Sequence, residues 1–220
     1  MNPNTVYGSL MHHRAEWEAL GERAHEAPYN KPPQAPVLYI KPANTFSAFG
    51  QTLHLPHGAD RIQARCCVGM ICEPFDAPTL MESVQYATEN IANTRQTALL
   101  CDFSLEQPSF YRPPLRFNAL DGSLALPQTW IAQPLDALHT ARIETWVNGQ
   151  CVHSYRAAGW IATAPEQWQS VSDFIAWETG DVLMMGCPSD APWVKVGDVV
   201  EARMHGQVFT RTLIARGDAA

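Results

Sequence analysis

The sequence lacks any apolar run of the roughly 18 residues that a membrane-crossing helix needs, so no such helix is expected. Its opening, MNPNTVYGSLMHHRAEWEAL, has no basic start followed by an apolar core, so no secretory leader is expected and the cytoplasm is the expected compartment. A dense basic run is missing too. The 15 Lys and Arg are scattered among 22 Asp and Glu for a net charge of −7, which argues against nucleic acid as a partner. There is no GxSxG elbow and no glycine-rich loop of the Walker or dinucleotide type, so neither a serine-hydrolase nucleophile nor a nucleotide site is announced. Repeats and low-complexity segments are absent as well.

What is present is an ordinary globular composition: 220 residues, 46% hydrophobic and 17% charged, enough for one domain with a sizeable core. The 17 prolines and 13 glycines are spread throughout, which suits many short strands and turns better than a helical bundle. The six cysteines are expected as reduced thiols, since a chain of this size needs no disulfide staples.

Residues 12–25 read as an amphipathic helix with Trp17 and Leu20 on one face, followed by the proline-punctuated connector APYNKPPQAP. VLYIKPANTF (37–46) reads as a strand stopped by Pro42, and QTLHLP (51–56) as a half-buried strand turning at HGAD. IQARCCVGMIC (62–72) is a further strand. Residues 76–95 carry the clearest helical repeat, with Leu80, Val84, Ala87 and Ile91 in phase. TALLCDFSL (97–105) reads as a buried strand, while 109–127 is too proline-rich for a helix. Residues 137–156 form a hairpin about Asn148-Gly149, 164–179 a helix, and 180–214 a strand, a loop and two more strands. The expected class is α+β, predominantly β, with two or three helices.

The cysteines of IQARCCVGMIC do not read as a zinc site. Cys66 and Cys67 are adjacent and point to opposite faces of a strand, while Cys66 and Cys72 share a face but lie about 20 Å apart. Small buried side chains are the simpler reading. His12 and His13 match no HExxH pattern, and His54, His57, His139, His153 and His205 stand alone. Asp102 closes an apolar strand near Glu106, Tyr111, Arg112, Arg116 and Asp121 in a proline-rich loop. That cluster suits a metal ion or an anionic substrate, or equally a solvated loop with ion pairs.

LYIKPANTF (38–46), LHLPHGAD (53–60), LLCDFSLE (99–106), TWVNGQ (145–150), GDVLMMGCP (180–188) and VGDVVEARMHG (196–206), in this order, resemble the fumarylacetoacetate hydrolase family over nearly the whole chain. TVYGSLMHHRAEW, the APYNKPPQAPVLYIKPANT connector and SFYRPPLRFNALDG are most similar to one branch, the isomerase/decarboxylases of 4-hydroxyphenylacetate degradation, whose members carry two homologous copies. The first copy is the one resembled. The resemblance implies a rolled mixed β-sandwich spanning 36–220, preceded by a strand, helix and connector over 1–35. It also implies pairing with a homologous subunit and action on a small dicarboxylate or tricarboxylate of the 2-oxo or 2-hydroxy-diene type.

The family holds Mg²⁺ or Mn²⁺ through a Glu-x-Glu strand and a later aspartate, and the ion stabilises an enolate. Carried over by position, the aspartate is Asp102 and the two glutamates fall on Ala64 and Cys66, with Arg65 pointing away. The family's lysine falls on Asn118, its following aspartate on Asp121, and the threonine of its Gly-Thr-Pro on Cys187. The N-terminal His/Glu pair falls on Glu16 and Ala19. One carboxylate and a soft thiol are a poor cage for a hard cation, so the metal is expected to be weak or absent here. No catalytic residue is assigned; Tyr111, Arg112, Arg116, Asp121 and Cys187 are candidates for substrate binding.

Three readings remain at this point. The chain is a subunit completed by a homologue with an intact metal site, or a self-sufficient enzyme using Glu73, Glu82, Glu106 or Asp121. Otherwise it is a non-catalytic module with an anion pocket about Arg112, Arg116 and Asp102.

Overall fold

A computed structural model describes residues 3–26, 36–73, 94–106 and 115–217. The longest elements are two antiparallel strands, Arg61–Ile71 (β5) and Thr94–Ser104 (β6), and they organise everything else. Burial along β5 alternates at first and becomes continuous from Cys66, as expected where a strand is covered on both faces. Around this pair a nine-stranded sheet forms in the order β2-β1-β11-β5-β6-β7-β3, with β12 also on β5 and β8 also on β6. Here β1 is Val6–Leu10, β2 Val37–Lys41, β3 Phe46–Ser47, β7 Leu124–Ala125, β8 Ile131–Pro134, β11 Val182–Met184 and β12 Trp193–Lys195.

The second sheet has five strands in the order β10-β9-β13-β14-β4, namely Gln150–Arg156, Arg142–Val147, Val199–Met204, Gln207–Arg216 and Thr52–Leu55. It packs on the first through contacts of β9 with β5 and of β13 and β14 with β6. Both sheets are mixed: β1 runs parallel to β11, β3 to β7 and β14 to β4. The fold is the predominantly β, mixed-sheet architecture expected from the sequence.

Local chemistry explains the connections. Asn148 and Gly149 both take positive φ, 51° and 80°, the geometry of the tight turn that joins β9 to β10. The two Gly-Asp pairs are one device used twice. Asp181 accepts from the amide of Glu178 at 3.0 Å, and Asp198 from that of Lys195 at 2.9 Å, so each carboxylate ties the turn leading into its strand.

Helices are few among the described residues. The helix Arg14–Leu20 (α1) opens on a capping box in which His13 accepts from the chain and Glu16 reaches back. The expected helix over 164–179 ends sooner, as Ala164–Ser172 (α3), because Trp177 folds back to stack on Trp168 at 4.4 Å and donates to the Ser172 hydroxyl at 2.7 Å. The proline-rich 109–127 stretch, expected to hold no helix, contains the single turn Leu115–Asn118 (α2) directly after Pro113-Pro114, where a helix start tolerates proline. The connector at 27–35 and most of the expected helix over 76–95 lie outside the described residues. Thr94 and Arg95, at the end of that stretch, already belong to β6.

His12, between β1 and α1, is 6% exposed with Nε2 3.1 Å from the Ala162 carbonyl, and burial lowers its pKa from 6.5 to about 4. Burial lowers the neighbouring His13 too. Above pH 6.5 both states of His12 are neutral and its protonation costs nothing. As pH falls from 6.5 to about 4 the unfolded chain takes up a proton that the folded chain refuses, so stability falls across that window. The His12 contribution to the loss is about 3 kcal/mol by pH 4. Urea unfolding at pH 7 and pH 4.5 checks this: the loss should be distinctly smaller in His12→Gln, and an unchanged loss refutes it.

Candidate functional site

In register, Arg65 of β5 sits directly opposite Asp102 of β6, and such cross-strand partners share a face of the sheet. Gly8 of β1 and Tyr39 of β2 are partnered in the same way. The ring of Tyr39 lies over Gly8 so closely that a Cβ there would meet ring carbon Cζ at 2.2 Å. Only glycine at this position lets the tyrosine lie flat and reach inward.

The Tyr39 hydroxyl donates to Asp102 Oδ2 at 2.5 Å, and the ammonium of Lys41, two residues on, lies 2.8 Å from Asp102 Oδ1. Lys41 also donates to the Asn118 carbonyl and, at 3.0 Å, to the Ser123 hydroxyl. All three of its protons have acceptors, so a cation whose side chain is 0% exposed is satisfied. Burial and the adjacent Asp102 charge hold the Tyr39 phenol well above its usual range, so it stays a donor.

Arg65 spans the remaining width. Its Nε contacts Cys187 Sγ at 3.4 Å, and its Nη2 lies 3.5 Å from Glu16 Oε1 on α1. Cys67, one alternation further along β5, hydrogen-bonds Cys187 and belongs to the same face. The hydrogen bond from Cys67, with Arg65 adding to it, lowers the Cys187 thiol, while Cys67 itself is pushed up. Burial raises the Glu16 carboxyl against the opposing pull of Arg65. His13 stands one turn before Glu16, is joined to it by the capping box, and packs edge-on against Tyr155 with centroids 5.5 Å apart.

Several expectations need correcting. Ala64 and Cys66, taken as the positions of two absent glutamates, pair with Phe103 and Cys101 and so face away from Asp102; Cys66 and Cys101 bring their sulfurs to 3.6 Å inside the core. Arg65, expected to point away, is the residue that faces Asp102. At the N-terminus the capping box joins His13 and Glu16, three residues apart, while Ala19 is exposed.

Of the candidates for substrate binding among the described residues, only Cys187 joins the site. Arg116 lines a surface cavity of about 590 Å³ together with Arg61, Glu106 and Trp193. Asp121 is exposed and accepts from Asn44 at 2.6 Å. Tyr111 and Arg112 lie outside the described residues, as does Glu82, so the proposed anion pocket about Arg112, Arg116 and Asp102 is not gathered by the described residues. Glu106 pairs with Arg61 at the surface, at 3.0 Å, and Glu73 with Gln96, so neither approaches Asp102 as a substitute ligand.

Residues 5–214 match the family model described as fumarylacetoacetate (FAA) hydrolase C-terminal. The chain belongs to the fumarylacetoacetate hydrolase family. It is 28% identical over 202 residues to a 4-hydroxyphenylacetate degradation bifunctional isomerase/decarboxylase of Escherichia coli, covering 92% of this chain but only 45% of that protein. Among solved structures, a 5-carboxymethyl-2-hydroxymuconate delta-isomerase from Mycobacterium smegmatis superposes with a TM-score of 0.69 at 20% identity, covering 99% of this chain and 80% of that one. A fumarylpyruvate hydrolase from Pseudomonas aeruginosa, solved with Mn²⁺ and pyruvate, gives 0.68 at 16% identity, covering 98% and 91%. At these identities the structures speak for the fold.

The Mn²⁺ of that fumarylpyruvate hydrolase poses a direct question of fit. Here the carboxylate of β6, Asp102, is ion-paired with Lys41, and the residues facing it on β5 are a guanidinium and a thiol. Among the described residues no three His, Cys, Asp or Glu side chains are grouped to hold an ion. A divalent hard cation would meet two fixed positive charges and one engaged ligand, so the residues present do not fit it. The arrangement offers instead a directional cation, Arg65, beside a buried acid, Glu16. Such a pair can hold an anion and accept or release a proton at Glu16.

Proposed function

We propose that this chain is a subunit of an isomerase/decarboxylase acting on 2-oxo or 2-hydroxy-diene dicarboxylates in cytoplasmic aromatic-acid catabolism. The substrate class is that of 5-carboxymethyl-2-oxohex-3-ene-1,7-dioate and its decarboxylation product. A homologous subunit with an intact Glu-x-Glu strand supplies the Mg²⁺ or Mn²⁺ and most of the chemistry. The observation that carries the reading is that Arg65 and Cys67, rather than carboxylates, lie on the face of β5 opposite Asp102. The 45% coverage of the bifunctional relative fits one copy of a two-copy enzyme.

The purified chain with Mn²⁺ or Mg²⁺ should neither decarboxylate nor isomerise such substrates, and adding the metal-competent homologue should produce activity that exceeds the homologue's alone. Metal-dependent turnover by the chain by itself would overturn the reading.

A further inference from the structure

Of the two cations on the site face, Arg65 is the more loosely paired among the described residues, with its carboxylate partner at 3.5 Å against 2.8 Å for Lys41. Asp102, its direct cross-strand neighbour, is bonded to Lys41 at 2.8 Å and Tyr39 at 2.5 Å instead. The carboxylate that Arg65 does meet, Glu16, stands off at 3.5 Å and gives its other oxygen to the His13 amide at 3.2 Å. A guanidinium has five N–H donors in a planar fork. Two of the Arg65 donors point at Cys187 and Glu16. The rest are not sealed in, since the side chain is 19% exposed and none of its nitrogens is a buried atom without a partner. Rigid strands hold the fork in place: Arg65 lies at the middle of an eleven-residue strand, between Cys67, Cys187 and Tyr39.

We propose that Arg65 is a metal-independent receptor for the carboxylate of a small 2-oxo acid, taking the place that the family gives to a divalent ion. The proposal names the ligand class of the site in the preceding reading and rests on that reading for the 2-oxo acid. A planar carboxylate docks on the free edge of the guanidinium through two parallel N–H···O bonds, the geometry that a lysine cannot offer. Glu16 is the competitor. Its carboxylate already offsets part of the Arg65 charge, so charge and position at Glu16 set how tightly the anion is held.

The test is calorimetric titration of the isolated chain with oxalate, a planar mimic of a 2-oxo acid enolate, in excess EDTA. Binding is expected at about 1 mM or tighter, unchanged within twofold when Mn²⁺ replaces EDTA. Arg65→Lys should weaken it at least tenfold and Arg65→Met should abolish it. Glu16→Gln should tighten it severalfold, and this arm stands even if the Arg65 variants fail to fold. Binding that needs Mn²⁺, that survives Arg65→Met in a folded chain, or that is absent at 10 mM oxalate overturns the proposal. Because the readout is binding by the chain alone, that result would leave the subunit reading standing. Conversely, turnover by the chain alone would sink the subunit reading without touching the EDTA-insensitive binding.

Discussion

Lys41→Met is expected to destabilise the chain by about 3–5 kcal/mol, read as a drop in the urea unfolding midpoint at pH 7. The lysine is fully enclosed, with 0% of its side chain exposed against 3% for Asp102. Removing it strands a carboxylate where water cannot replace the lost partner, and also leaves the Asn118 carbonyl and the Ser123 hydroxyl without their donor. Removing both charges is a different matter. Lys41→Met combined with Asp102→Leu should recover most of the loss, since no unpaired ion remains buried. A single-variant loss under about 1 kcal/mol would mean that Asp102 has another source of compensation, and the description of the site would be wrong at its centre.

The second large effect separates the two faces of β5. Arg65→Glu with Cys67→Glu places three carboxylates on one face, with Asp102 opposite. This variant should fold and bind Mn²⁺ with a dissociation constant below about 100 μM, where the parent is expected to bind far more weakly. Ala64→Glu with Cys66→Glu keeps the same spacing one residue earlier. Those side chains are 0% and 2% exposed against Phe103 and Cys101, so each new carboxylate enters an apolar core without a partner. A cost of several kcal/mol per site should leave that variant unfolded or insoluble. If the second variant folds and binds the ion while the first does not, the strand is out of register by one.

That contrast shows where reading the sequence succeeds and where it stops. Alternation and turn residues located β4, the β9–β10 hairpin and the closing strands, because each depends on neighbours in sequence. Asp102 was visible as a polar residue ending an apolar run. Its partners were not, because Tyr39 and Lys41 come from the far side of a curled sheet, and no spacing connects them to residue 102. One clue did exist. Tyr39 and Lys41 lie two apart in a strand, so they share a face, and a lysine just before a proline is an unusual strand end. On β5 the pattern was ambiguous for a physical reason. Once both faces are buried, alternation no longer tells one from the other, and a single-residue shift exchanges them. The helix expected over 164–179 stops at Ser172, and the stack of Trp168 on Trp177 that accompanies its end leaves no signature in the helical repeat.

The position of β1 has a consequence for how the protein is made. Val6 pairs in parallel with Val182, and Thr5 bonds Asp181, so the strand that places Gly8 under Tyr39 acquires one of its two neighbours only after most of the chain has left the ribosome. Until then β1 and β2 form a two-stranded ribbon with an open edge, too small to be stable by itself. The arrival of β11, which also pairs with β5, joins that ribbon to the central strands in one step. Contacts so distant in sequence make for slow closure, and the site about Tyr39 and Asp102 exists only once that closure has happened.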